Sequence, residues 1–446
     1  MSLTASLGLM AVFIVDFVDM IFIAMLGKAE LAAAIGYAGA ILFFTTSFGI
    51  GLGIAAGALV ARALGADNEA LARQRTTHAL GYGLIFGTGF SVLVWLWLTE
   101  LVAMLGASGE TAALAVHFLQ IIVPSMPFLI LGMMGSAVLR AHGDARRAMM
   151  TTIAGGVVNA VLDPILIFGL DLELTGAAIA SVVARLVICY MAIWPLVTIY
   201  GGIVRPRIGG MLRDLSPILS IAFPTILAQI ATPVGQAFVT RAMANYGEEA
   251  IAGMAIVGRL TPVAFGVVFA LSGAVGPIIG QNFGAGNMAR VKAGFNAAVL
   301  FAAAVILLVS SVLFVARGAI ADLFSATGLT RELIFLFCGP LSLAFFFPGV
   351  LFVANAAFNN LGRPFLSTLT NWGRNAVALI PLVFIGSWAF GAQGVLIGQA
   401  LAGVVFGIVA WVLALRTIGR GIVPIEDKQN LFGREGRLMT LFQERR

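Results

Sequence analysis

Charged residues are scarce in this chain of 446 residues: Asp, Glu, Lys and Arg make up 10% of it, where soluble domains average about 25%. So few charges exclude a soluble globular domain. Hydrophobic side chains make up 60% of the residues, and the mean hydropathy is +1.04. They form runs of about twenty residues, the length that an α-helix needs to cross a bilayer. Transmembrane β-strands would instead be short segments of alternating polarity. The sequence predicts an all-α integral membrane protein.

Cysteine and histidine are scarce as well, with 2 Cys and 3 His. Cys189 and Cys338 both lie inside apolar runs, so their number excludes a disulfide framework and argues against a cysteine metal site. His78, His117 and His142 match no metal-ligand spacing, and no Ser/His/Asp arrangement can be read. We therefore expect no enzymatic activity and no resident cofactor. A membrane-embedded enzyme stays a remote alternative, and so does a passive channel.

Apolar runs divide the chain into about 12 predicted spans. They lie near residues 4–26, 33–60, 76–98, 112–137, 149–169, 176–200, 216–240, 250–280, 293–316, 332–358, 365–388 and 394–415. Nineteen of the 26 Lys and Arg residues lie on one set of alternate loops and the C-terminal tail, and four on the other set. Because basic loops stay in the cytoplasm, we expect a cell inner-membrane protein with both termini cytoplasmic. The net charge of +6 reflects this pattern and does not indicate nucleic-acid binding.

The two halves of the chain repeat each other at an offset of about 219 residues. ALGADNEALAR (Ala63 to Arg73) corresponds to NFGAGNMARVK (Asn282 to Lys292), and LRAHGDA (Leu139 to Ala145) to NLGRPFL (Asn360 to Leu366). Six spans per half is an even number, so the halves point the same way. We predict two parallel six-helix bundles related by pseudo-two-fold symmetry: residues 1–200 and 217–415, with a cytoplasmic linker at 201–216 and a cytoplasmic tail at 416–446. Span seven has a lead-in that the first half lacks, so we expect the natural chain to begin upstream of Met1.

One span carries polar residues in its middle. The run Thr151–Gly169 is apolar enough to cross a bilayer, yet it contains Asn159 and Asp163, which share one helix face because they are four apart. A carboxylate at this depth costs roughly 2.5–3.5 kcal/mol on insertion scales, so it should face a partner, a cation or water. Pro164 removes a backbone donor and favours a bend here. Together with Asp19 of the first span, this pattern predicts a cation site.

Other interpretations of these acids remain open at this point. Asp19 and Asp163 could be structural acids that pair with a basic neighbour such as Arg185. Hard oxygen ligands suit Na⁺, whereas two close carboxylates raise each other's proton affinity and suit H⁺, so either ion fits. Asp16 precedes Asp19 by three residues on a similar helix face. It could add to the cation site or attract a cationic substrate.

Several motifs resemble those of the multidrug and toxic compound extrusion (MATE) family. They are FVDMIF around Asp19, ALGADN, LRAHGDAR, NAVLDPILIFG, GAAIAS (Gly176 to Ser181) and GQNFGAGN (Gly280 to Asn287). Their order and spacing match over about residues 10 to 415. The resemblance implies an exporter of lipophilic or cationic small molecules, coupled to inward movement of Na⁺ or H⁺ and working by alternating access.

The resemblance also implies which residues bind the coupling ion. One branch of the family, the DinF-like branch, uses an acid of span one, an Asn and an Asp four apart in span five, and a hydroxyl of span six. These roles would fall on Asp19, Asn159, Asp163 and Ser181, which are also the candidate Na⁺ ligands. Two departures stand out. Thr4 takes the place of a proline found in many members, and Asp16 that of a small residue.

The alternative function is a flippase for lipids or lipid-linked oligosaccharides, from the same superfamily. Such a protein would be expected to line its cleft with more basic residues, which a pyrophosphate requires. For either function we expect a monomer, surrounded by membrane lipid and without a nucleic-acid partner.

Overall fold

The structure is a computed structural model that describes residue 22 and residues 29–206 and 208–420. These residues form helices and connecting turns, and no strand occurs among them. The first predicted span, residues 4–26, lies outside the described residues except for Phe22, and so do Asp16 and Asp19.

The helices follow the predicted spans in order. In the first half they are α1 (Ala29–Gly65), α2 (Glu69–Leu96), α3 (Leu98–Met104), α4 (Gly109–Ile122), α5 (Met126–Ala141), α6 (Ala145–Pro164) and α7 (Glu173–Thr198). In the second half they are α8 (Ile208–Ala244), α9 (Glu248–Gly284), α10 (Met288–Leu323), α11 (Gly328–Leu336), α12 (Ser342–Ala344), α13 (Phe346–Asn360), α14 (Pro364–Trp372) and α15 (Leu379–Gly419). A 3₁₀ turn (Val123–Ser125) and three π turns (Ile165–Gly169, Phe337–Leu341 and Gly373–Ala378) join successive helices.

Among the described residues, nine helices are long and apolar enough to cross a membrane, or ten with the bent pair Gly328–Ala344 and Phe346–Asn360. The last of them, Pro364–Gly419, contains two spans because the chain turns back at Gly391, where φ is 58°. Beyond this turn the chain runs antiparallel, since the backbones of Gly386 and Gly394 lie against each other. The predicted spans are mostly shorter than the observed helices, because the helices continue past the apolar run into the loops.

The parallel repeat is visible in the helix caps. The Asn68 side chain accepts the N–H of Leu71 at 2.9 Å and thereby caps α2. At the same place in the second half, Asn287 accepts the N–H of Arg290 at 3.0 Å and caps α10. An amide oxygen at an N-cap satisfies one of the N–H groups that a helix leaves without an internal partner. The same local signal therefore starts the same helix in both halves.

Helices α1 and α9 form the seam between the halves. Helix α1 packs on α5 within the first half and on α8 and α9 of the second, while α9 packs on α13 within the second half. Two of the four apolar cores lie almost wholly in the first half, and the other two lie in the second. Each half therefore has its own packed interior, and α1 makes most of the contact with the second half, through α8 and α9.

The chain that joins the halves is bound to α2. Residues 201–206 are not helical, and α8 begins inside the stretch predicted as a linker. The Thr77 hydroxyl donates to the carbonyl of Gly202 over 3.1 Å. Two buried side chains complete the attachment, since His78 Nδ1 lies 2.5 Å from Asp214 Oδ2. The connection between the halves thus follows a fixed path along the first half.

The corner between α5 and α6 is attached to the end of α7 through Asp144. Its carboxylate accepts the Tyr200 hydroxyl at 2.9 Å and the backbone N–H of Arg147 at 3.1 Å. Burial alone would raise the pKa of Asp144, but the hydrogen bonds from Arg147 and Tyr200 outweigh it and lower that pKa below its usual value. His142 stacks on the Tyr200 ring with 4.3 Å between the ring centroids. These contacts hold an ionised carboxylate at the corner.

The turn at Gly391 requires a close approach that only glycine allows. A Cβ added at Gly386 would overlap the carbonyl of Gly394, whereas a Cβ added at Gly89 in α2 meets no atom within 4 Å. We expect Gly386→Ala to lower stability by about 1–3 kcal/mol, since overpacking against a backbone cannot relax by a side-chain movement. Thermal unfolding in detergent measures this effect as a lower Tm.

Gly89→Ala is the matched control. It should leave Tm unchanged or raise it, because alanine favours a helix by about 1 kcal/mol over glycine. Equal Tm changes in the two variants would contradict the close approach.

Candidate functional site

The candidate site lies where α6 ends and a π turn begins. Pro164 is the last residue of α6 and has no backbone N–H, so the carbonyl of Ala160 loses its usual helical donor. The chain continues as the π turn Ile165–Gly169. The N–H of Leu170 donates to the carbonyl of Ile165 at 2.9 Å and closes this turn. Single π turns are frequent at functional sites. The sequence predicted a bend at this proline; the structure has a π turn directly after it, and the bend itself stays a prediction.

Asn159 and Asp163 stand one turn apart on α6, directly before this π turn. The Asn159 Nδ2 atom donates to Asp163 Oδ2 over 3.1 Å, so the two side chains share one face as their spacing predicts. Both are buried, and Asp163 is only 1% exposed. A buried carboxylate is stable when charge-assisted hydrogen bonds or a cation offset the loss of hydration. The pair therefore combines an amide with a carboxylate whose charge is sensitive to its immediate surroundings.

The packing of α6 against α7 determines the depth of Ser181. The two helices run antiparallel: a Cβ on Gly155 would lie 3.4 Å from the Ala184 carbonyl oxygen, and one on Gly176 would lie 2.7 Å from the carbonyl carbon of Leu166. Ser181 lies between these two contacts on α7, as Asn159 and Asp163 do on α6. The three side chains therefore lie at a similar depth in the membrane. The side chain of Ser181 is half-buried. Within the described part of the chain, its hydroxyl makes no hydrogen bond to either of them.

The first span contributes one described residue. The ring of Phe22 meets the ring of Phe168 edge-on, with 6.0 Å between the centroids. Phe168 belongs to the π turn that follows Asp163. Asp16 and Asp19 lie outside the described residues, so their part in the site stays a prediction.

Arg185 has a structural role that does not involve Asp163. Its guanidinium donates to the carbonyl of Ile122 at 3.1 Å and to the Ser125 hydroxyl at 3.0 Å. These acceptors flank the break between α4 and α5, where helical hydrogen bonds are interrupted. In the residues that the structure describes, no ion pair joins Arg185 to Asp163. The pairing of these two residues, considered from the sequence, is not observed.

The two halves close on each other at the end that bears the basic loops. Arg62 donates to the carbonyl of Asn360 at 2.8 Å and to that of Asn359 at 2.6 Å. From the other half, Gln281 Nε2 donates to the carbonyl of Ala141 at 2.7 Å. The repeat offset of about 219 residues relates Arg62 to Gln281, and it also relates Ala141 to Asn360. The closure therefore consists of one contact made twice, once from each half.

Backbone approach accompanies these hydrogen bonds. A Cβ on Gly65 would lie 2.6 Å from the carbonyl carbon of Gln281, and one on Gly284 would lie 2.9 Å from that of Arg62. The ends of α1 and α9 thus cross with no side chain between them. Among the described side chains, none forms a hydrogen bond between the halves at the opposite end. The protein is closed at its basic end.

Arg140 lies next to this closure, at the last turn of α5. Its Nε atom is 3.9 Å from the position that a Cβ on Gly273 of α9 would occupy, so the guanidinium reaches the other half. No acid among residues 29–206 and 208–420 forms an ion pair with it. In the sequence, Arg62 and Arg140 stand out only as two of the nineteen basic residues on the loops and tail predicted to be cytoplasmic. The repeat offset identifies Gln281 as the position equivalent to Arg62, and this equivalence is the signal in the sequence that could have indicated the closure.

A helical membrane protein made of two parallel halves, closed at one end, has an architecture found in membrane transporters. The MatE family matches residues 5–165 and 224–385, so the chain belongs to the MATE family of transporters. The family predicted from the motifs is confirmed.

Known proteins are similar over nearly the whole chain. The FAD transporter of Shewanella oneidensis is 29% identical over 426 residues, 93% of each chain, and the multidrug export protein MepA of Staphylococcus aureus is 25% identical over 422 residues, 92% of each. A Vibrio cholerae MATE transporter shares the fold with a TM-score of 0.89 at 23% identity. An outward-facing MATE transporter of the MOP superfamily has a TM-score of 0.88 at 22% identity. Both structures cover 94% of this chain and 95% of their own, which confirms the fold of two six-helix bundles.

Removing the two mirrored donors should open the basic end. Hydrogen bonds are worth about 0.5–1.5 kcal/mol each, and more when a charged group donates. We therefore expect the double variant Arg62→Ala, Gln281→Ala to shift the population toward the open state by roughly 10-fold or more. Spin labels on cysteines placed at Glu69 and Arg290, with Cys189 and Cys338 replaced, measure the distance between the two halves.

Asn282→Ala is the matched control, because the Asn282 amide donates to Ile278 of its own helix. It should leave the distance distribution unchanged. An unchanged distribution in the double variant would mean that these donors do not hold the closed end.

Proposed function

We propose that this protein is a secondary antiporter, which exports small molecules while Na⁺ or H⁺ moves inward. The observation that carries the proposal is the buried pair of Asn159 and Asp163, joined by a hydrogen bond of 3.1 Å beside the π turn that ends a membrane span. A carboxylate at such a depth is stabilised when a cation or a proton neutralises it. Cation binding therefore changes the relative free energies of two conformations that present this site differently.

The ion site that we propose is made of oxygen ligands, and the coupling ion passes through it rather than staying as a cofactor. Its side chains would be Asp19, Asn159, Asp163 and Ser181. The carbonyl of Ala160, which Pro164 deprives of its helical donor, offers a further oxygen. Carboxylate, amide, hydroxyl and carbonyl oxygens suit Na⁺, whereas a proton needs only the carboxylates. Asp16 would add negative potential that attracts a cation or a cationic substrate.

Cation binding at Asp163 would act on the deformable segment that directly follows it, namely Pro164 and the π turn. Pro164 and the π turn Ile165–Gly169 replace the regular hydrogen bonds at the end of α6, so this segment deforms more easily than an unbroken helix. A Cβ on Gly176 of α7 would lie 3.0 Å from the amide nitrogen of Ile167, inside the turn. The two backbones are in contact there. If the π turn changes its conformation when Asp163 is neutralised, α7 would therefore move as well.

Closure at the basic end supports export by alternating access. The excess of Lys and Arg there predicts that this end and both termini face the cytoplasm of a cell inner membrane. The two halves, residues 1–200 and 217–415, would rock about the seam of α1 and α9. In the closed conformation the coupling ion would enter from outside and the substrate would leave there. The similarity to MepA, a multidrug export protein, supports a lipophilic or cationic substrate.

Neutralising Asp163 permanently should remove the coupling. We expect Asp163→Asn to reduce gradient-driven efflux of ethidium to the background rate, with Tm and membrane insertion preserved, because the amide keeps the shape of the side chain but cannot gain and lose a charge. Vesicles with a Na⁺ gradient and a pH gradient imposed separately measure efflux and identify the ion.

Asp171→Asn is the matched control, since Asp171 is an exposed acid in the same half. It should transport at the rate of the unsubstituted protein. Gradient-dependent efflux that survives in Asp163→Asn would remove this carboxylate from the mechanism.

A second candidate function is export of a flavin nucleotide. The relative with 29% identity is a FAD transporter, and the observation in this chain that favours such a substrate is the Arg140 guanidinium between the halves. An arginine there, with no acid from the described residues in an ion pair, suits a phosphate group, which guanidinium binds through two parallel hydrogen bonds. An anionic substrate would therefore use Arg140 where a cationic one would avoid it.

Vesicle uptake of FAD separates the two candidates. If FAD is the substrate, the unsubstituted protein should transport it, and Arg140→Gln should reduce transport roughly 10-fold because a charge-assisted hydrogen bond is lost. Arg146→Gln, an exposed arginine at the next corner, should have no effect. FAD transport that is absent, or equal in both variants, would exclude the second candidate as argued here.

A further inference from the structure

A small basic cavity lies on the second half, at the end that bears the basic loops. It has a volume of about 150 Å³ and is lined by Arg363, Leu366, Leu413, Arg416, Thr417 and Arg420. Its three arginines are exposed, whereas Thr417 is buried and the two leucines are half-buried. Three guanidinium groups thus surround an apolar floor.

The polarity of this cavity changes along the membrane normal. Leu413, Arg416, Thr417 and Arg420 follow one another at helical spacing, so they form a single stripe on α15. The stripe becomes basic toward the end of the helix, where α15 leaves the predicted membrane region. A ligand that fills the cavity therefore needs an anionic group at the interface and an apolar part toward the membrane interior.

The positive charge of the cavity is not neutralised within the described residues. Other arginines do have acidic partners: Arg73 is ion-paired to Glu69 at 3.2 Å, and Arg331 is ion-paired to Asp322 at 2.8 Å. No ion pair between the cavity arginines and an acid occurs in the part of the chain that the structure describes. Like charges held close together repel one another, so an anion bound between them would lower the free energy of the cluster.

We propose that this cavity binds one anionic phospholipid, with its phosphate between Arg363, Arg416 and Arg420. Guanidinium groups match the geometry of phosphate oxygens, and anionic headgroups are enriched at the cytoplasmic surface. The acyl chains would lie over Leu366 and Leu413 and continue along the exposed faces of α14 and α15. A free phosphate would use the arginines but not this apolar floor.

The bound lipid would lie beside the closure between the halves. Arg363 also lines a second cavity, of about 400 Å³, which it shares with Arg62. Arg62 donates to the carbonyls of Asn359 and Asn360, which lie at the end of α13 just before Arg363. The lipid would therefore contact the same corner of the second half that Arg62 holds.

Lipid-dependent stability of the purified full chain tests the proposal without any transport assay. In detergent, phosphatidylglycerol should raise Tm more than phosphatidylcholine or inorganic phosphate does. The triple variant Arg363→Gln, Arg416→Gln, Arg420→Gln should lose this additional increase, with roughly 10-fold weaker retention of phosphatidylglycerol in native mass spectrometry. The triple lysine variant, which keeps the charges, should retain most of it.

The matched control is Arg146→Gln, Arg290→Gln, Lys292→Gln, which removes three exposed charges from loops at the same end. It should respond to phosphatidylglycerol like the unsubstituted protein. An equal loss in the control would overturn the proposal in favour of non-specific attraction. An equal rise of Tm with inorganic phosphate would overturn it in favour of a free-anion site.

Discussion

The membrane makes every buried charge expensive, and this protein treats two such charges in opposite ways. The guanidinium of Arg185 is satisfied by a backbone carbonyl and a hydroxyl at the break between α4 and α5, so its role is to hold a helix break. The carboxylate of Asp163 accepts an amide hydrogen bond from Asn159 and stands beside Pro164 and a π turn. An arginine keeps its charge at any physiological pH, whereas a carboxylate can be neutralised by an arriving cation or proton. The proposed coupling depends on this difference.

Interruptions of the helices lie inside the spans and not only at their ends. Inside a bilayer a backbone group released from the helical pattern must find a partner within the protein, so each interruption needs local polar chemistry or close packing. At Val123–Ser125 the partner is Arg185. At Ile165–Gly169 the carbonyl of Leu166 accepts the N–H of Leu172 at 3.1 Å, and the backbone of α7 packs closely there because Gly176 has no side chain. Each of these two interruptions therefore lies where a polar partner or a close contact is available.

The repeat explains why one contact closes the protein twice. Two copies of one fold facing each other present the same surface, so a donor near the end of α1 and its counterpart on α9 meet equivalent carbonyls. The halves differ where specialised chemistry is needed. The pair Asn159 and Asp163 belongs to the first half, and the arginines around the small cavity belong to the second. At the corner where the second half has Arg363, the first half has Asp144, which is bound to Tyr200. Symmetry thus accounts for the closure, and the departures from it supply the proposed binding sites.

Properties encoded within a few residues could be read from the chain alone. Long apolar runs set the helices and their number, the even count of spans set the parallel halves, and a spacing of four put Asn159 and Asp163 on one face. Contacts between distant segments could not be read in this way: Arg62 meets Asn360 across 298 positions of sequence, and Ser181 reaches the depth of the pair only through the packing of α6 on α7. The reason is physical. In a membrane an apolar helix face suits lipid as well as it suits another helix, so hydrophobic periodicity identifies a span but not its neighbour. Close backbone approach at glycines such as Gly65 selects that neighbour, and it exists only once the chain is folded.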